Sequence, residues 1–243
     1  PSGSRFGRAI RTWGDWLAIG AANDAPAGTS GHGCVYLYRR KKDGRWSLAQ
    51  RISNPDEETE VQFGHSLAIS DGWLLIGAPS SASRIPGRAH LYRLQPAQNL
   101  WISESHALTL PPSRSNSFGL AVGIQGSRAA VMDVERDPES QRPAGALTLY
   151  SPDPEGKSWI PEAFRLQYGT LAPFSPVFDR GELIVPVVDV DQSRPGASGV
   201  GLVFHRFDAG SDQHVAVAPA PSVRTRAAFS SIAASPTLLG LPF

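Results

Sequence analysis

The chain has 243 residues, 23 Lys and Arg against 22 Asp and Glu, and a formal net charge of +1. That balance gives no overall attraction for nucleic acid or acidic membranes, and no apolar run reaches the roughly eighteen residues of a membrane-spanning helix. Glycine (24) and proline (21) are abundant, as in a chain that turns every few residues.

The chain reads as a repeat. An aromatic residue recurs at Phe6, Phe63, Phe118, Phe174 and Phe229, at steps of 55 to 57 residues, and each opens a short strand, A. In the first unit, 6–62, strand B is Trp16-Leu17-Ala18-Ile19-Gly20, strand C is Cys34-Val35-Tyr36-Leu37-Tyr38, and strand D opens at Trp46. The basic run Arg39-Arg40-Lys41-Lys42 falls on the C–D turn beside Asp43-Gly44 and reads as a solvated turn that protects an edge. The second unit, 63–117, repeats the order with Trp73-Leu74-Leu75-Ile76-Gly77, His90-Leu91-Tyr92 and Trp101. The third, 118–173, has Arg128-Ala129-Ala130-Val131, Ala146 to Tyr150 and Trp159. The fourth, 174–228, has Glu182 to Val185, Gly201 to Phe204, and Val215 where the others have Trp. The fifth, 229–243, supplies strands A and B only.

The A–B connections carry Gly14-Asp15, Asp71-Gly72, Gly126-Ser127 and Arg180-Gly181, and glycine supplies the positive φ of tight hairpins. Four short strands per period of about 55 residues make an all-β β-propeller of four-stranded antiparallel blades. The expectation is one domain, 1–243, of four complete repeats and a C-terminal half blade. Only five residues precede Phe6, so strands from the two termini cannot share a blade in the usual way. The chain is expected to be part of a larger propeller, a compact four-bladed ring with a trailing hairpin, or a ring completed by a second chain through its open edges. It begins at Pro1 with neither an initiator Met nor a signal-like segment, which reads as a processed or excised piece.

Phe63-Gly64 with Gly77-Ala78-Pro79, and Phe6-Gly7 with Gly20-Ala21-Ala22, resemble the FG-GAP repeat of integrin α-type propellers. Phe118-Gly119 keeps the first half of the pattern but has Met132-Asp133 in place of the second, and Phe174-Ser175 and Phe229-Ser230 lack the glycine. The resemblance implies an exported or cell-surface, non-enzymatic adhesion module. Its protein or glycan ligand would sit on the rim formed by the B–C and D–A loops. Those loops are 22–33, 80–88, 133–145, 189–199, 53–62 and 111–117. The candidate binding residues on them are Asn23, Asp24, Arg84, Asp133, Glu135, Arg136, Asp189, Asp191 and Arg194. Many relatives bind calcium in an Asp-x-Asp-x-Asp-Gly loop between strands A and B. The A–B turns here are too short for it, so no cofactor is expected, and Asp189 with Asp191 is a minor cation candidate.

Two other readings stay open. One is a propeller enzyme, a lyase or hydrolase with a site in the central channel, for which no sequence motif stands out. The other is a structural part of a larger ring. Cys34 reads as a small buried hydrophobe, the tryptophans as packing between blades with Trp13 as the candidate exposed aromatic, and His65 and the other histidines as scattered strand residues.

Overall fold

The computed structural model describes residues 3–24, 33–55, 61–82, 85–104, 115–136, 143–156, 158–168, 175–179, 182–190, 198–206 and 215–217. They build sixteen strands in four four-stranded antiparallel sheets, one sheet for each complete repeat. Blade 1 comprises β1 (Phe6–Trp13), β2 (Trp16–Ala21), β3 (Cys34–Arg40) and β4 (Trp46–Ser53). Blade 2 comprises β5 (Ser66–Ser70), β6 (Trp73–Ala78), β7 (Arg88–Gln95) and β8 (Leu100–Ser103). Blade 3 comprises β9 (Ala121–Gln125), β10 (Arg128–Arg136), β11 (Pro143–Pro152) and β12 (Trp159–Tyr168). Blade 4 comprises β13 (Val177–Asp179), β14 (Glu182–Val190), β15 (Ser198–Arg206) and β16 (Val215–Val217). The half blade at 229–243, like Phe174, lies outside the described residues.

The chain divides into two units, 1–135 with 146–166 and 136–145 with 167–243. In the first, β5 lies between β1 and β9 and contacts both, so the A strands of the first three blades stand side by side.

The packing follows from the period-2 alternation of a strand. On β6, Leu74, Ile76 and Ala78 enter a cluster with Trp16, Ala18, Val35, Leu37 and Ile52 of blade 1. Leu75, between them, enters a second cluster with Val122, Ile124, Ala129, Val131 and Tyr150 of blade 3. Blade 2 is thus apolar on both faces, and each fully buried leucine or isoleucine contributes about 2 kcal/mol. Trp16, Trp73, Trp101 and Trp159 take the packing role expected of them, whereas Trp46 is 40% exposed. Trp16 meets Trp101 edge to face at 5.6 Å and Trp73 meets Trp159 at 5.2 Å. Trp13, expected to be the exposed one, is half-buried and lies 6.5 Å from Trp101. It faces blade 2 because it pairs with Trp16 across the β1–β2 hairpin. Gln50 joins the outer strands, its amide accepting from Trp101 N (2.8 Å) and donating to Trp101 O (2.9 Å). A bulge that leaves Ala49 without a register partner accompanies it in β4.

The other face of blade 1 carries the same residue types without a cover. The register aligns Ile19 with Tyr36 and Leu17 with Tyr38, as it aligns Ile76 with His90 and Leu74 with Tyr92 in blade 2. The blade 2 residues are buried; their blade 1 counterparts are only half-buried. Phe6 and Ile10 are 51% and 50% exposed, whereas Phe63 and Leu67, one repeat later, are at 0%.

The strand starts differ from expectation. Phe63 and Phe118 precede their A strands, because each Phe-Gly pair forms the centre of a tight turn. Arg8 N bonds to Arg5 O, His65 N to Gln62 O, and Leu120 N to Ser117 O. The glycine is the third residue of each turn, with φ of +85, +86 and +87 at Gly7, Gly64 and Gly119, the requirement of a type II turn. These turns wedge into the preceding blade. A Cβ on Gly20 would lie 2.0 Å from the Gly64 carbonyl oxygen, and one on Gly77 2.1 Å from that of Gly119. Gly33 and Gly87 stand equally close to the carbonyl oxygens of Phe63 and Phe118. The glycines at the end of strand B and in the Phe-Gly pair are therefore two halves of one contact between neighbouring blades.

The B–C loops of the third and fourth repeats are shorter than expected because β10 and β14 run on to Arg136 and Val190. In blade 2 Pro79, which has no N–H for the ladder, follows the end of β6. No proline or glycine interrupts the corresponding stretch Asp133 to Arg136.

Candidate functional site

The turn geometry assembles the site. In each Phe-Gly turn the residues before Phe and after Gly are the first and fourth of four, drawn together by the closing hydrogen bond. In blade 1 they are Arg5 and Arg8; in blade 2 they are Gln62 and His65. Because the A strands are neighbours, the two turns meet.

His65 Nδ1 lies 2.9 Å from Gln62 Oε1, and its Nε2 lies 3.0 Å from Arg8 Nη2. An amide oxygen only accepts and a guanidinium only donates, so Nδ1 carries the proton and Nε2 accepts. The ring is neutral. Burial, and then the charges of Arg8 and Arg5, lower its pKa from 6.5 to about 4. Arg5 reaches Gln62 Oε1 at 3.5 Å. With the Asn23 amide oriented to satisfy both of its ends, Arg5 Nε also donates to the Asn23 oxygen at 3.2 Å. Asn23 N in turn bonds to Ser4 O at 3.0 Å. Arg5 sits at φ +53, a left-handed conformation uncommon for a residue with a Cβ.

Asp24 is the next residue, and its side chain is only 10% exposed. Its Oδ2 accepts from the Tyr36 hydroxyl and lies 3.4 Å from Arg51 Nη2. The edge of Phe6 packs against the Tyr36 ring at 5.4 Å, tying this group to the first turn. The hydrogen bond to Asp24, and then burial, raise the Tyr36 pKa, so its phenol stays protonated and donates. Burial works against the Arg51 charge, but Tyr36, Cys34 and Asp24 outweigh it and Arg51 is held above its ordinary value. The Cys34 thiol, 2.8 Å from Arg51 Nη2 and buried as expected, is pushed up chiefly by burial. A raised thiol with an ionised carboxylate nearby is not a nucleophile at neutral pH.

Of the residues singled out in the sequence, Asn23 and Asp24 come together here. Asp133 is buried on β10, with Glu135 and Arg136 on the same strand; Asp189 is on β14 opposite Gly199. Arg84, Asp191 and Arg194 lie outside the described residues. Arg5, Arg8, Gln62, His65, Tyr36 and Arg51 were missed. The available signal was the Phe-Gly pair itself: glycine in the third place of a turn marks its first and fourth residues as neighbours. Among the described residues no three His, Cys, Asp or Glu side chains group as a metal site.

No family model and no curated protein matches the chain. Among solved structures, it is similar to a GH32 β-fructofuranosidase of Bombyx mori in complex with sucrose. The identity is 10%, the TM-score 0.50, and the match covers 88% of this chain and 51% of that one. It is also similar to an endo-arabinase of Bacteroides thetaiotaomicron, at 11% identity and TM-score 0.46, over 87% of this chain and 77% of that one. A periplasmic gluconolactonase of Pseudomonas aeruginosa follows at 12% and 0.39, over 87% and 71%. At such identities the likeness concerns the fold, which is a β-propeller. The expectation of a non-enzymatic, integrin-like adhesion module is corrected: the propeller that this chain matches at a TM-score of 0.50 is an enzyme, the β-fructofuranosidase. The glycines that carry the Phe-Gly resemblance answer to blade packing in this chain and touch no ligand-binding chemistry.

Proposed function

We propose that the chain carries a hydrolase or lyase site at the Phe-Gly turns of blades 1 and 2, with Asp24 as its general base. The observation that carries this reading is the Asp24 environment: a nearly buried carboxylate bonded to a protonated phenol and a guanidinium. Asp24 accepts from both partners, and a carboxylate so placed can take a proton from an attacking water or from an acidic C–H of a substrate. Arg51 and Tyr36, both donating to Asp24, hold the carboxylate in place, and Asp24 returns the proton that it took when the leaving group needs one. A site at strand ends where two blades meet suits a scaffold whose loops carry function. Fold-level analogy with the fructofuranosidase makes glycosides the first substrates to try, followed by lactones. We also infer that the repeats are kin to the FG-GAP type in their packing, on the paired glycines Gly20 with Gly64 and Gly77 with Gly119.

The test is turnover of a panel of chromogenic glycosides and lactones by the protein and by Asp24→Asn, which keeps the shape and removes the base. A loss of about a hundredfold or more, with the thermal midpoint retained, is the expected result. Equal turnover by the two proteins, or none by the unaltered protein, refutes the reading.

A further inference from the structure

We propose that Arg5 and Arg8 form a receptor for a carboxylate of the substrate, the Arg8 guanidinium held on the His65 ring and that of Arg5 on Gln62 and Asn23. The proposal rests on the enzymatic reading only for what the bound carboxylate belongs to; the receptor itself stands on geometry. The first Phe-Gly turn places two arginines at its ends, and the second turn supplies the side chains that hold them, His65 for Arg8 and Gln62 for Arg5. Arg8 is fixed through Nη2 on the ring's Nε2, while Arg5 is fixed through Gln62 and Asn23. Holding two like charges beside one ring is unfavourable without a compensating anion. Among the described residues the ion pairs are Arg40–Asp15, Arg45–Asp43 and Arg51–Asp24, and neither Arg5 nor Arg8 belongs to one.

His65 completes the argument by what it withholds. Its one N–H is directed at Gln62 and its lone pair at Arg8, so the ring orients the arginines and adds no charge of its own. The left-handed Arg5 is a strained residue kept where it holds a guanidinium in place. Arginine, with a planar fork of donors, matches the two oxygens of a carboxylate.

The experiment is calorimetric titration of the intact protein with glucuronate, glucose and inorganic phosphate. Saturable binding of glucuronate without binding of glucose is expected, weakened about tenfold or more in both Arg5→Ala and Arg8→Ala. Arg8→Lys, which keeps the charge and loses the fork, should lie between Arg8→Ala and the unaltered protein, and it serves if the alanine variants misfold. Comparable binding of glucose, tighter binding of phosphate, or unchanged affinity in the arginine variants overturns the proposal. A protein that binds glucuronate but turns nothing over keeps the receptor and loses the enzymatic reading. One that turns over neutral glycosides and ignores glucuronate does the reverse.

Discussion

Replacing Gly20 with alanine tests the contact between blades most directly. The added Cβ would stand 2.0 Å from the Gly64 carbonyl oxygen and 3.1 Å from its carbon, both backbone atoms that no rotamer change can move aside. Ordinary contact begins at about 3.4 Å, so either β2 or the Phe-Gly turn must retreat by more than an ångström. Both are pinned. β2 holds Trp16 and Ala18 in the cluster shared by blades 1 and 2, and the turn holds Phe63 in the same cluster. Overpacking of a closed core costs about 3 kcal/mol here, at the upper end of the usual range. The entropic gain of alanine over glycine in the unfolded chain returns less than about 1 kcal/mol. The control is Gly14→Ala in the β1–β2 hairpin, at φ +54 with nothing within 4 Å, where only the left-handed backbone counts and about 1 kcal/mol is expected. Urea unfolding followed by tryptophan fluorescence reports both, since Trp13, Trp16 and Trp101 lie at this contact. If Gly20→Ala unfolds at the same urea concentration as the unaltered protein, or later than Gly14→Ala, the interlock argument is wrong.

The two faces of blade 1 and blade 2 give a matched pair: Leu74→Ala removes a fully buried side chain and should cost about 3 kcal/mol, whereas Leu17→Ala, its half-buried counterpart, should cost about 1. Equal costs by urea unfolding would mean that the blade 1 face is covered in solution. His65 supplies a pH dependence. Between pH 6.5 and about 4 the unfolded chain binds a proton that the folded ring, facing Arg5 and Arg8, refuses. Stability should therefore fall as pH drops through that window, with this contribution constant above and below it. His65→Gln should flatten the profile there, and an imidazole that titrates near 6.5 by NMR in the folded protein contradicts the assigned geometry.

The blades were legible in the sequence because their signals are local and repeated. Aromatic spacing, Asp71-Gly72 and the Trp openings of strands D each mark one element without reference to any other. Both Asp71 and Gly72 take positive φ, as a type I′ hairpin demands. The site was only half legible. Asn23 and Asp24 stood out as polar residues in a glycine-rich loop, but their partners come from other strands and the next repeat. Arg51 lies 27 residues from Asp24, and His65 57 from Arg8. Such partners are brought together by register and blade packing, which composition does not encode. His65 was taken for an ordinary strand histidine for the same reason. Asp133 and Asp189 were placed in loops because strand B was ended at Val131 and Val185, whereas β10 and β14 run on to Arg136 and Val190.

The glycine contacts also set a rule of succession along the chain. A repeat opening with Phe-Gly fits only behind one whose B strand ends in glycine, as Gly20 and Gly33 precede Gly64, and Gly77 and Gly87 precede Gly119. In the third repeat Met132 occupies that place, and the fourth opens with Phe174-Ser175, its glycine gone as well. Both sequence positions have thus changed across this repeat boundary. The repeats are therefore not exchangeable copies: each carries, at the end of its second strand, the specification for the opening of its successor. A reordered chain that set the Phe63-Gly64 opening behind Met132 would drive a bulky side chain against a backbone carbonyl.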